Sequence, residues 1–256
     1  MITHLSALIL GIVEGFTEFL PISSTAHLIL ASDILKISQS DFTKTFEIVI
    51  QSGAILAVVL LYWRKFTDWG ILKKVIVAFI PTGVLGLIFY GVVKNYLLGS
   101  TAVVLWSLAI GGILLIIFEK FLSGNEGMGE IKDLSYGKAA TIGLFQSVAM
   151  IPGVSRSAAT IVGGMLLGLK REAIVEFSFL LAVPTMLAAT GLDLVKSFHS
   201  FSSSQFGVLA LGFIASFVMA VVSIKFLLNY IRKHSFTGFG VYRIILVVVF
   251  LLAAFV

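Results

Sequence analysis

Residues Leu5–Ala31 read LSALILGIVEGFTEFLPISSTAHLILA. The run is apolar enough for a membrane helix, yet Glu14, Glu18, Pro21, Ser23, Ser24, Thr25 and His27 sit in its middle. Proline disfavours helix at the residue before it, and Ser or Thr favours a helix start. The stretch therefore reads as two half-helices. Each has ~15 residues, about 22 Å at 1.5 Å per residue, too short for ~30 Å of hydrocarbon. Ala139–Leu169 repeats the design, with Gln146, Pro152, Ser155, Arg156, Ser157 and Thr160 around its break.

The two stretches align. Gly11, Glu14, Ser23 and Thr25 precede Gly143, Gln146, Ser155 and Ser157 by 132 positions. Pro21 and Pro152 are offset by 131, as are Phe46 and Phe177. The chain thus reads as two diverged copies of one unit. Residues 1–123 form the first, with a hairpin over about 5–31, and residues 139–256 the second, with a hairpin over about 139–169. Residues 124–138 form a polar cytoplasmic linker.

The 256 residues are 59% hydrophobic and 12% charged, with mean hydropathy +1.09. Soluble chains are about 45–50% apolar and about 25% charged. This excludes a cytosolic globular enzyme, a nucleic-acid binder and a disordered chain. It predicts an all-α polytopic membrane protein surrounded by membrane lipids. The absence of cysteine excludes disulfides and thiolate chemistry.

Six further apolar runs are plain: Phe46–Trp63, Ile71–Val93, Thr101–Phe118, Ala173–Val195, Phe206–Ile231 and Phe239–Val256. If all eight runs span, basic residues divide evenly between the two sides. If the two broken runs dip in and return, six transmembrane helices remain and the division becomes twelve against four. The majority then includes Arg64, Lys65, Lys170, Arg171, Arg232 and Arg243. The positive-inside rule favours this second model, with that side cytoplasmic and both termini extracytoplasmic. Three spans per half invert one copy against the other. Two re-entrant helical hairpins then enter from opposite faces and meet near the midplane, where irregular backbone requires shielding.

Charges at that depth cost ~2.5–3.5 kcal/mol each on insertion scales and mark functional sites. Glu14 and Glu18 are spaced i, i+4 and share a helix face. They raise each other's pKa or share a cation, and an all-oxygen pair suits Mg2+ or Ca2+. A proton relay or a water-exposed helix end is the simpler alternative. Ser23, Ser24 and Thr25 open a half-helix whose N–H groups and dipole attract phosphate. His27, three residues beyond Ser24, could accept its proton, or both could serve only as cap and backbone partner. Arg156 keeps its charge and its fork suits phosphate oxygens, unless it serves only as an ion-pair partner of a glutamate. Ser155, Ser157 and Thr160 stand beside it as auxiliary donors. Glu47 and Gln51, also i, i+4, could face the same cavity. The set fits metal-assisted phosphoryl transfer on a lipid phosphate whose tail stays in the bilayer.

At these residues the chain resembles a known family. Glu14–His27 (EGFTEFLPISSTAH) closely resembles the first signature of the undecaprenyl-diphosphate phosphatases, the bacitracin-resistance proteins, and Pro152–Thr160 (PGVSRSAAT) the second. The likeness extends through Lys44–Gln51 and Phe177–Pro184. It implies hydrolysis of undecaprenyl diphosphate to the monophosphate and phosphate, recycling a lipid carrier for cell-wall synthesis. It also implies a divalent cation at Glu14 and Glu18, Ser24 or His27 as nucleophile or base, and Arg156 as phosphate clamp. The expected setting is the plasma membrane, with the site open to the extracytoplasmic face and often a homodimer. The competing reading is a lipid-phosphate or anion transporter, since inverted repeats with broken helices also build carriers. An anion carrier gains nothing obvious from two carboxylates at its site.

Overall fold

The computed structural model describes residues 2–38, 40–97, 99–122, 127, 129–197 and 205–254, without the side chains of residues 94, 192–197, 253 and 254. Residues 124–126 and 128 of the expected linker, and 255–256 of the last apolar run, lie outside the described residues.

The first broken run forms helices α1 (His4–Thr17) and α2 (Ser24–Ile34). Plain helices follow: α3 (Asp41–Phe66), α4 (Trp69–Val92) and α5 (Thr101–Leu122), with a π-turn at Val93–Leu97 after α4. The second broken run forms α6 (Tyr136–Ser147) and α7 (Arg156–Leu166), and then come α8 (Arg171–Ser197), α9 (Phe206–Ile231) and α10 (Thr237–Ala254). The described residues contain helices and one isolated bridge, between Gly129 and Leu169, and no strand.

Five helices are long and apolar enough to cross a membrane: Asp41–Phe66, Trp69–Val92, Thr101–Leu122, Arg171–Gly191 and Phe206–Ile231. The chain is thus an all-helical, multi-pass membrane protein. The described part of α10, Thr237–Leu252, is a shorter apolar helix. The four helices of the broken runs have only 14, 11, 12 and 11 residues.

Backbone contact through glycine fixes the short helices. α1 lies along α9, and a Cβ on Gly15 would stand 2.1 Å from the Ser216 carbonyl oxygen. Ser223 Oγ of α9 donates to the Phe16 carbonyl at 2.6 Å. α6 lies along α4 in the same manner. There a Cβ on Gly143 would meet the Ala78 carbonyl at 1.9 Å, and Thr82 Oγ1 donates to the Gly143 carbonyl at 2.9 Å. Small residues let helices approach this closely where no hydrophobic force separates lipid from protein. α3 and α8 run between these pairs, and buried Phe19, Phe177 and Phe179 fill the centre.

Two sequence expectations change. Arg243, counted with the loop cations, is fully buried within α10. Without it the charge division is still eleven against four, so the topology argument keeps its direction. The linker is also more than a tether. Ile131 and Leu134 join the core, and Lys74 Nζ donates to the carbonyls of Ile131 and Lys132. The apolar periodicity of such a short segment was too slight to read.

Gly15→Ala is expected to destabilise by about 1–3 kcal/mol through overpacking, seen as a lower thermal midpoint in detergent. Gly91→Ala, which meets nothing within 4 Å, is expected to leave the midpoint unchanged or slightly raised.

Candidate active site

Each broken run ends its first helix early and restarts after a strained residue. Ser23, at the cap of α2, has φ 70° and ψ 95°, and Ser155, at the cap of α7, has φ 74° and ψ 115°. Positive φ at a residue other than glycine costs on the order of 1–3 kcal/mol and concentrates at functional sites. The two strained serines are 132 positions apart, the offset of the sequence match. Each turns the chain so that the following helix starts beside its neighbour.

The turn brings the two runs into contact. Ser24 Oγ donates to Glu18 Oε2 at 2.6 Å. Glu18 Oε1 pairs with Arg156 Nη2 at 3.3 Å, with side-chain exposures of 8% and 12%. Arg156 Nη1 donates to the Ser178 carbonyl of α8 at 2.9 Å, and the guanidinium lies 5.9 Å above the centre of the Phe19 ring. Ser157 Oγ donates to the Leu20 carbonyl at 2.7 Å and ties the second run to the first. A serine, a carboxylate and a guanidinium from sequence-distant segments thus form one chain of contacts.

A cavity of about 180 Å³ opens on this chain. At ~30 Å³ per water, that is room for a head group and not for a long lipid tail. Glu18, Ser23, Ser24, Thr25, Gln51, Ser155 and Arg156 line it, all of them expected site residues. Five others, Glu47 among them, stand outside the lining. Glu14 is fully buried, and neither of its oxygens has a hydrogen-bond partner. Thr160 back-bonds to the Arg156 carbonyl at 2.8 Å and faces Gln146, while Ser157 is spent on Leu20. His27 turns away from Ser24. Its Nδ1 lies 2.8 Å from the Ser23 carbonyl and its Nε2 lies 2.7 Å from the Tyr242 hydroxyl. The carbonyl can only accept, so in the neutral ring Nδ1 carries the proton and Nε2 accepts from tyrosine.

The glutamates fit a hard cation. Glu14 offers two buried oxygens without donors. It lies within electrostatic reach of Glu18, Glu47 and Arg156. No group of three or more His, Cys, Asp or Glu with metal-holding geometry occurs among the described residues. Mg2+ commonly takes one or two carboxylates and completes its shell with water and substrate phosphate.

The matching family model is the bacitracin resistance protein BacA, over residues 7–249. The chain belongs to the BacA family. BacA relatives agree in length as well as sequence. Proteins named undecaprenyl-diphosphatase from Aquifex aeolicus and a Sulfurihydrogenibium species are each 51% identical to it, covering 97% and 98% of this chain and 97% and 99% of their own. One of the same name from Methanococcus aeolicus is 44% identical over 97% of each chain.

Sequence reasoning passed over several residues of this candidate site in the BacA-family chain. Thr185, Met186 and Ala149 line the cavity, and Ser178 braces Arg156. Ser178 and the segment leading to Thr185 fall in or beside the Phe177–Pro184 run, whose likeness to the family was the available signal. Tyr242 and Arg243 gave a clearer signal, a cation inside an apolar run, hidden by its place near the start of that run.

Removing one partner of a buried ion pair is expected to cost ~3–5 kcal/mol, more than removing both. Arg156→Met should therefore lower the melting temperature further than Glu18→Gln/Arg156→Met does. Strictly additive effects in detergent melts would show the two groups to be uncoupled.

Proposed function

We propose that the chain hydrolyses undecaprenyl diphosphate to undecaprenyl phosphate and inorganic phosphate, recycling the lipid carrier for cell-wall synthesis and conferring resistance to bacitracin. The contact chain Ser24–Glu18–Arg156 across the two broken runs carries this reading. α1–α2 and α6–α7 act as re-entrant hairpins of an inverted repeat, with six spans formed by α3, α4, α5, α8, α9 and α10. The lengths of the short helices, the matched strained serines and the charge division support this. The setting is the plasma membrane, with both termini and the site open to the extracytoplasmic side.

Ser24 is the proposed nucleophile. Its hydroxyl already donates to Glu18, which supports Glu18 rather than His27 as the acceptor of the proton. The incoming diphosphate replaces Glu18 at Arg156, whose Nε lacks a partner and whose fork matches phosphate oxygens. Release from the guanidinium leaves Glu18 Oε2 still in contact with the Ser24 hydroxyl and free to take its proton. Seryl oxygen then bonds to the terminal phosphorus while the bond from that phosphorus to the bridging oxygen breaks. Undecaprenyl phosphate leaves, and water hydrolyses the phosphoserine to free phosphate. The N–H groups at the start of α2 and α7 stabilise the charge on the transferred phosphoryl. Glu14 and Glu18 would hold a divalent cation, which when bound supplies Lewis-acid polarisation of the diphosphate. The alternative, attack by a water that His27 activates, has less support because both ring nitrogens are engaged.

Phosphate release from undecaprenyl diphosphate in detergent, with no second compartment, separates hydrolysis from transport. Ser24→Ala, Glu18→Gln and Arg156→Ala are each expected to lower kcat by roughly a hundredfold or more, and His27→Ala by much less. Folded variants with full release would remove the site from these residues. Chelation of divalent cations is expected to suppress release and Mg2+ or Ca2+ to restore it, with Glu14→Gln raising the cation concentration needed for half-maximal rate.

A further inference from the structure

Arg243 is the largest fully buried side chain among the described residues. No carboxylate pairs with it among those residues. Its guanidinium instead meets five backbone carbonyls. Nε donates to Leu108 at 3.3 Å, and Nη2 donates to Ser107 at 3.0 Å and Gly153 at 2.9 Å. Nη1 donates to Val154 at 3.0 Å and Pro21 at 3.5 Å. An arginine has five N–H donors, so every one has an acceptor.

Three of these acceptors belong to the two breaks. Pro21 lies two residues before the strained Ser23, and Gly153 and Val154 immediately precede the strained Ser155. The other two belong to α5. One side chain therefore ties both turns to the same pair of helices, α5 and α10. Its neighbour Tyr242 holds His27, which in turn holds the Ser23 carbonyl. The charge also has a direction. It sits at the carbonyls of the residues just before the caps of α2 and α7, outside the cavity lining, and adds to the positive potential of both helix starts.

We propose that Arg243 is a positioning residue for the phosphate site, setting the two strained turns against each other and lending its uncompensated charge to the paired helix starts. This rests on the reading of the cavity as a phosphate site. Lysine would preserve the charge but has only three donors for five carbonyls. Glutamine removes the charge and keeps some hydrogen bonding. A Cβ on Gly111 would stand 2.3 Å from Arg243 Nη2, so Gly111→Ala displaces the guanidinium without removing it.

The test is the inhibition constant for inorganic phosphate, which does not depend on how much of a preparation is folded, measured beside kcat in detergent. Arg243→Gln and Gly111→Ala are each expected to raise that constant by about fivefold or more and to lower kcat by about tenfold, with Arg243→Lys recovering much of the loss. Constants within about twofold of the parent in both variants would overturn the assignment, whatever happens to expression. If Arg243→Gln fails to fold, Gly111→Ala decides alone. Stabilisation of the protein against heat by added phosphate gives a second readout without turnover. A parent that binds phosphate but releases none from the lipid substrate overturns the proposed reaction. A parent and an Arg243→Gln variant that bind it equally overturn only the role of Arg243.

Discussion

A charge carried into hydrocarbon has no water to answer it, and the structure is organised around that constraint. Glu18 and Arg156 are 138 residues apart, and the helices that bring them together bury the first and half-bury the second. Neither broken run could hold its ion alone. The carboxylate needs the guanidinium, so one run commits the other to the same place. The Ser157 bond to the Leu20 carbonyl fixes the same approach through neutral groups. In the proposed mechanism the resting pair is also a store of binding capacity, because the diphosphate takes the place of the carboxylate on the same cation.

The two runs share a backbone plan and divide the chemistry. Position 14 is a glutamate whose oxygens lack partners, while the matching position 146 is a glutamine held by Thr82, Thr185 and Thr160. Position 24 is the serine, and its match, 156, is the arginine. One run brings acid and hydroxyl, and the other brings the cation. Two like copies would place two carboxylates or two guanidiniums face to face, which a low-dielectric interior penalises. The difference between the two runs therefore favours a stable shared centre.

The glycine contacts and the buried arginine of α10 serve the same centre from outside. Gly11, Gly15 and Gly143 let the short helices touch the backbones of α9 and α4, compensating for helices too short to anchor themselves across the bilayer. Arg243 then closes the turns between them.

The sequence by itself determined the class of the molecule, because hydropathy and the length of apolar runs are summed along the chain and need no partner. It determined where the helices break, since Pro21 and Pro152 act locally. It also named most of the cavity lining, because polar groups within an apolar run have few uses other than a site. Tertiary structure alone decided which polar groups meet. Ser24 and His27 are neighbours in sequence, yet the strained Ser23 turns the hydroxyl to Glu18, while Tyr242 draws the imidazole toward α10. Thr160 and Ser157 carried the same local signals as Ser155, but only packing shows that their hydroxyls are consumed by backbone. Arg243 shows the difference most plainly, since a cation near the start of an apolar run reads alike whether it reaches water or a cage of carbonyls, and only the fold brings five carbonyls to one point.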